Sequence, residues 1–372
     1  MTRTRGAVRR PSPGCRVATL LSIERFLPPF RYGQDEVTRW VRAWLEEGDE
    51  APARRLLSVY AAAGVKARAS VLPIEDVFQP GDFETQNDRY RRAATAAGVD
   101  LARRALDSAG LAPAEVDLVV SLSCTGFMIP ALDAYVADAL GMGPRLVRLP
   151  ITESGCAGGV VGLARAADFL AAHPRKSALV LAVELSSLTF QRWDRSATNV
   201  VSSAIFGDGG AGAVLVGARH PRAGSGGLLR VLDSESLFYP GTTHLMGFRL
   251  RNQGLQIVLD PGLAPFVRRE VSRSVDAFLA GRGLARRDIA RWILHPGGRR
   301  IIEVMREELE LPPEALASTE AVLAEHGNMS SVTVLFVLEE LLRCQRPEPG
   351  SRGVLGAFGP GFGAELALVE FL

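Results

Sequence analysis

The chain is 372 residues long, more than a typical single domain, so two core-forming units or one large duplicated fold are expected. Hydrophobic residues make up 47% and charged residues 23%, which excludes a disordered chain and fits an ordinary globular one. A net charge of +2 is too small to require a nucleic acid or a membrane surface as partner.

Cys15, Cys124, Cys156 and Cys344 lie far apart and form no CxxC pair, so neither a disulfide framework nor a zinc site is expected. That usage suits a reducing compartment. Residues 1–16, basic and proline-bearing, read as a disordered tail without the apolar stretch of a secretory leader. The longest uncharged apolar run, 118–132, holds Gly126 and Pro130 and falls short of the roughly 18 residues of a spanning helix. A soluble, cytoplasmic protein with no membrane partner is the expectation.

The first predicted helix is QDEVTRWVRAWLEEG, with Val37, Trp40, Val41, Trp44 and Leu45 on one face and Gly48 as its stop. Weaker helical character continues to Gly64. An irregular stretch, LPIEDVFQPGDFETQN, follows, and another helix is expected over 88–109.

From Gly110 the chain repeats itself. Gly110-Leu111-Ala112 leads through Asp117 into the apolar run LVVSLSCTG, as Gly283-Leu284-Ala285 leads through Asp288 into WILHPGG. SGCAGGVVGLARAADFL and HGNMSSVTVLFVLEELL each open an apolar helix from a glycine-bearing turn. ALVLAVELSS matches RGVLGAFGPG, and GAGAVLVG matches GAELALVEF, as buried strands. Cys156 lies 46 residues after Gly110, and Asn328 lies 45 after Gly283. Apolar strands alternating with helices, twice over, predict a duplicated α/β fold with parallel strands and a site between its halves. The halves are expected at 17–222 and 223–372, joined through the loop ARHPRAGSGG.

Three residues stand out chemically. Cys156, in ESGCAGG, opens a predicted helix, where unpaired N–H groups lower a thiol's pKa. A buried structural cysteine is the plainer alternative. His295 ends an apolar strand before Pro296-Gly297-Gly298, a strand mouth suited to function. Of the other histidines, His173 and His220 precede prolines in loops, while His244 and His326 are further pocket candidates. Asn328, in HGNMSS, holds the repeat-equivalent place to Cys156, either to polarise a carbonyl or to cap the next helix. The glycine-rich GAFGPGFG lacks the spacing of a dinucleotide fold or a P-loop and reads as a tight turn.

Taken together, GCAGG around Cys156, HPGG at His295, GNMSS at Asn328, the GDGGAGAVLVG segment and the GAFGPGFG loop resemble the type III polyketide synthases of the chalcone synthase kind. The resemblance runs from about residue 17 to the C-terminus. It implies a thiolase-like fold, two related α/β halves in a layered α-β-α-β-α core, and a homodimer. It also implies an acyltransferase that takes acyl-CoA and malonyl-CoA and uses no metal or redox cofactor. In that family's scheme Cys156, as a thiolate paired with His295, carries the growing acyl chain. His295 and Asn328 hold the thioester oxygen while the malonyl unit loses carbon dioxide.

The resemblance also marks binding positions. Phe206 matches an aromatic gatekeeper between coenzyme A tunnel and cavity, and Ile257 occupies the second gatekeeper's place. Thr189, Cys124 and Ser330 match cavity-lining positions, and Phe248 stands where plant chalcone synthases have glycine. Of the positions that meet coenzyme A phosphates only Arg55 keeps a basic residue, with Ser58 and Ala62 at the others.

LTFQRWDRSATNVV and YPGTTHLMGF resemble bacterial alkylresorcinol and alkylpyrone synthases, which points to a medium- or long-chain fatty acyl-CoA starter, the preferred reading. SCTGFMIP with Cys124, and the aromatic at 248, resemble tetrahydroxynaphthalene synthases that use malonyl-CoA alone, the alternative. A β-ketoacyl carrier-protein synthase III shares Cys, His and Asn on the same fold, but HPGG and GNMSS favour the polyketide branch. Two readings belong to other classes. The duplicated pattern argues against a cysteine hydrolase, and retention of all three reactive residues argues against a non-catalytic homologue.

Overall fold

The computed structural model describes residues 17–47, 53–79 and 81–372, with side chains from Leu56 onward in the second segment. The predicted tail with Cys15, and the helix stop Gly48, lie outside them.

Strand β1 (Ala18–Phe26) is followed by β2 (Phe30–Gly33), helices α1 (Gln34–Glu46) and α2 (Ala53–Ala62), and β3 (Ala67–Ser70), which pairs antiparallel with β2. Helix α1 buries Val37, Val41, Trp44 and Leu45 as its spacing predicts. Trp40 sits at the margin of that stripe, 36% exposed, and lies flat on Phe78 with ring centroids 5.8 Å apart. After the single turn α3 (Ile74–Val77), α4 (Phe83–Ala109) begins five residues earlier than predicted. The cause is Asp82, whose carboxylate accepts the Thr85 N–H at 2.7 Å and satisfies an otherwise unpaired donor. Gly110 ends the helix at a left-handed φ of 62°, the conformation that glycine adopts without penalty.

The rest of the first half is β4 (Leu118–Leu122), α5 (Leu132–Ala139), β5 (Val147–Ile151), α6 (Gly158–Ala172), β6 (Ser177–Leu185), α7 (Ala197–Ile205) and β7 (Asp208–Gly217). The second half runs β8 (Leu229–Phe238), the hairpin β9 (Met246–Arg251) and β10 (Gly254–Leu259), α8 (Leu263–Ala280), β11 (Arg291–Leu294), and α9 (Arg299–Glu308). It closes with α10 (Ala317–His326), α11 (Thr333–Gln345), β12 (Arg352–Gly359) and β13 (Gly363–Phe371).

Strand order shows the duplication. The first half is arranged β5-β4-β6-β7-β1 and the second β11-β12-β13-β8, the same path without the outermost strand. The small details repeat too: Glu115 accepts the Ala112 N–H at 2.7 Å, and Asp288 accepts the Ala285 N–H at 2.8 Å. The two sheets join edge to edge where Ala18–Leu20 pairs with Leu229–Val231. The expectation of parallel strands needs correction. Only β4–β5, β4–β6 and β11–β12 are parallel, and the other pairings are antiparallel. An uninterrupted apolar run reports burial on both faces, which this layered core imposes whatever the strand direction.

Helices α6 and α11 form the middle layer, with Val160 and Leu163 in one apolar cluster with Val334, Phe336 and Leu338. Helix α4 covers the outer face of the first sheet, and α8 and α9 that of the second, completing the α-β-α-β-α layering. Each fully buried aliphatic side chain contributes about 1.5–3 kcal/mol, so this doubly covered layer is the strongest part of the core. Gly155–Ala172 is apolar enough to cross a membrane, but 56% of it is buried here as the central helix and its lead-in. At Gly159 a Cβ would lie 2.4 Å from the Ser331 carbonyl oxygen, so only glycine allows α6 this close to the start of α11.

Candidate active site

The layering brings two equivalent turns together. Cys156 sits in the 3-10 turn Gly155–Ala157 that opens α6, and Asn328 lies just before the turn Ser330–Val332 that opens α11. Asn328 Nδ2 is 4.0 Å from Cys156 Sγ and 3.4 Å from the Gly297 carbonyl oxygen. Its Oδ1 accepts the Ser330 N–H at 2.8 Å, which fixes the amide with its nitrogen toward the sulfur. Asn328 thus ties down the turn before α11 through Oδ1 and leaves Nδ2 facing the sulfur. His295 follows β11 and is tied to β12 by its backbone N–H, which donates to Gly356 O at 2.8 Å. It lines a chamber together with Cys156, Asn328 and Phe206. Within the glycine-rich segment Gly356–Gly359 ends β12 and residues 360–362 make the tight turn, which packs against the turn that holds Cys156. Gly155, at φ 47°, abuts Pro360, whose Cδ would stand 2.7 Å from any Cβ there.

Burial sets the charge state. Cys156 and His295 are only 6% and 5% exposed. Desolvation pushes the Cys156 thiol up to about 11 and holds the His295 imidazole down at about 3. Both shifts run against the expected thiolate–imidazolium pair, toward an uncharged thiol and an uncharged imidazole. Burial is the largest cause at Cys156; the hydrogen-bonding side chains of Ser330 and Asn328 lower the thiol's pKa, and nearby Glu184 raises it further. Among the described residues neither ring nitrogen of His295 has a hydrogen-bond partner.

A second chamber, about 1070 Å³ with its open mouth included, shares Cys156, Phe206, Met246 and Leu259 with the first. Cys124, Thr189, Phe206, Phe248, Ile257 and Ser330 all line it, as expected. Phe206 borders both chambers, the place a gate would occupy. Cys124 Sγ lies 3.3 Å from Ser330 Oγ, and burial raises its thiol well above the ordinary range.

Arg55 falls on α2 among side chains outside the described residues. His244 and His326 line neither chamber, and His326 is held down to about 4 by its own burial and then by Arg25 and Arg31.

Several residues escaped sequence reasoning. Glu184 is a buried carboxylate that accepts from Ser331 Oγ at 2.5 Å, Thr125 Oγ1 at 2.9 Å and the Cys124 N–H at 3.0 Å. A lone acid inside the apolar strand ALVLAVELSS was its signal. Met246 and Leu259, and the apolar wall residues Val37, Val41, Ile74, Val77 and Phe78, carried none, because separate segments meet there only in the fold.

The chain matches the model of the N-terminal domain of chalcone and stilbene synthases over residues 81–220, and that of their C-terminal domain over 231–372. It is 41% identical over 358 residues to a 1,3,6,8-tetrahydroxynaphthalene synthase of Streptomyces peucetius subsp. caesius, covering 96% of this chain and 94% of that protein. An alpha-pyrone synthesis polyketide synthase-like protein of Mycobacterium tuberculosis is 30% identical over 370 residues, covering 97% of this chain and 93% of that one. The crystal structure of 1,3,6,8-tetrahydroxynaphthalene synthase from Streptomyces coelicolor superposes with a TM-score of 0.89 at 31% identity, over 95% of this chain and 99% of the other.

Proposed function

The chain belongs to the chalcone and stilbene synthase family, and within it we propose that it builds its product from malonyl-CoA alone. It is a type III polyketide synthase of the thiolase superfamily, an acyltransferase acting on coenzyme A thioesters. The observation that carries the finer reading is the 41% identity, over nearly the whole chain, to a tetrahydroxynaphthalene synthase. Cys124 beside Ser330 on the cavity wall, with the aromatic Phe248 across from Ile257, accords with it.

In the proposed cycle neutral His295 accepts the Cys156 proton as the sulfur attacks a thioester carbonyl, the bond from acyl carbon to coenzyme A sulfur breaks, and the departing thiolate takes the proton, leaving the acyl group on Cys156. The next malonyl thioester places its carbonyl oxygen between His295 and Asn328 Nδ2. Loss of carbon dioxide puts negative charge on that oxygen, where fixed donors in a water-poor chamber act most strongly. The enolate carbon then attacks the Cys156 thioester, the acyl carbon–sulfur bond breaks, Cys156 leaves as thiolate, and the chain, two carbons longer, remains on coenzyme A. Decarboxylation alone drives the step, so no further cofactor enters. Arg55 is proposed to meet the coenzyme A phosphates, and the enzyme to act in the cytoplasm as a homodimer. Exposed Phe127 and Ile129 after β4, with Val147 and Leu149 on outermost β5, accord with a second copy.

A fatty acyl starter, preferred from the sequence, keeps one observation in its favour. Val37, Val41, Ile74, Val77 and Phe78 make part of the chamber wall apolar, a surface that would accept an alkyl tail. Mass spectrometry separates the readings: enzyme given only malonyl-CoA should release a pentaketide naphthalene. Turnover that requires a fatty acyl-CoA, and retains its alkyl chain in the product, would reverse the choice.

A further inference from the structure

The end of α7 carries Phe206 past Asn328, and its backbone is gripped from both sides. Carbonyls in the last turn of a helix have no helical partner. Those of Ser203 to Phe206 are nevertheless all engaged. Arg68 Nη1 donates to Ser203 O at 2.6 Å and to Phe206 O at 2.7 Å. Its Nη2 donates to Ala204 O at 2.7 Å and to the Gln34 side-chain oxygen. The remaining carbonyl, Ile205 O, accepts the Asn328 N–H at 2.9 Å, and the Gly207 N–H donates to Asn328 O at 3.0 Å. Little slack separates the two segments. A Cβ on Gly207 would meet His326 O at 2.5 Å, and one on Gly327 would meet Ile205 O at 2.6 Å. Arg68 arrives from β3, more than 130 residues away in the chain, and is 7% exposed.

We infer that Arg68 is a positioning residue for the reaction: by holding the end of α7 it sets both the Phe206 gate and the direction in which Asn328 presents its amide to Cys156. The inference rests on the reading that Asn328 stabilises the enolate. A guanidinium is required because its rigid fork spans three carbonyls at once, whereas a lysine ammonium is a single point charge.

The test uses full-length enzyme with Arg68→Lys, assayed for malonyl-CoA decarboxylation and for Cys156 alkylation by iodoacetamide at pH 9. The kcat for decarboxylation is expected to fall at least about tenfold while KM stays within about threefold. Cys156 is expected to alkylate no faster than in the wild type, because the thiol stays buried and the Asn328 amide that lowers its pKa has moved. A purely structural defect would instead expose the thiol and speed its alkylation as kcat falls, and that result overturns the inference. So does a kcat equal to wild type. If Arg68→Lys yields no folded protein, Gln34→Met decides. It removes Arg68's side-chain acceptor outside the cavity, and an unchanged kcat there likewise overturns the inference. Asn328→Ala is run alongside. If Asn328→Ala decarboxylates normally, the enolate reading falls and takes this inference with it. If Asn328→Ala is defective and Arg68→Lys is not, the inference alone falls.

Discussion

Phe248 and Ile257 stand directly opposite one another across the β9–β10 hairpin, and both line the larger chamber. Directly opposed residues on one sheet face lie close enough for their side chains to touch, so the pair acts as one wall. Phe248→Ala should open that wall while leaving the hairpin register intact. Products made from malonyl-CoA should lengthen or close differently, and acyl-CoA starters refused by the wild type should be accepted. Product masses across a starter panel check this, and an unchanged product and starter range would remove Phe248 from the cavity wall.

Division of labour at the centre is read with two variants. Cys156→Ala should abolish polyketide formation yet keep malonyl-CoA decarboxylation, since Asn328 and His295 remain. Asn328→Ala should slow decarboxylation by roughly 10²–10³-fold, the effect of losing one oxyanion donor. Carbon dioxide release and product formation, measured together, distinguish the roles. Full product from Cys156→Ala would remove it as acyl carrier.

Thiol titration follows from burial. With its pKa near 11, Cys156 should alkylate about tenfold faster per pH unit from pH 7 to pH 10. Peptide mapping after timed iodoacetamide exposure separates it from the other cysteines. A rate already at its plateau by pH 7 would restore the thiolate expected from the helix start.

Stability should show the buried imidazole. His295 titrates near 3 in the folded protein, below its ordinary 6.5, so between these values the unfolded chain binds the proton first. Its contribution is therefore complete above pH 6.5 and is lost as pH falls toward 3. Relative to His295→Gln, the wild type should lose up to about 1.4 kcal/mol per pH unit, or about 2 kcal/mol between pH 6.5 and 4.5. Urea unfolding of both proteins across that range measures the difference, and parallel curves would show that the imidazole is solvated.

Contact between the halves is tested at Gly159. Its Cβ in Gly159→Ala would meet Ser331 O at 2.4 Å and Val334 Cγ1 at 2.5 Å. Backbone cannot yield as a side chain does, so destabilisation of about 3 kcal/mol is expected, the upper end for overpacking. A melting temperature equal to wild type would show that the middle layer is looser than described.

The duplication and the candidates Cys156, His295 and Asn328 were legible in the sequence because each rests on local chemistry, whereas the chamber-lining positions came from the family resemblance alone. Gly110 and Gly283 close helices by conformation, the strands advertise burial by continuous apolar runs, and Cys156 and Asn328 occupy matching turns of a repeat. Strand direction, the charge state of the centre and the grip on α7 were decided only by tertiary structure. Continuous apolar strands look alike in either direction, and a thiol's pKa depends on how much water the surrounding layers exclude. Arg68 meets Ser203, Ala204 and Phe206 across more than 130 residues of chain. No periodicity records such a contact, because it exists only once β3 and α7 are packed together.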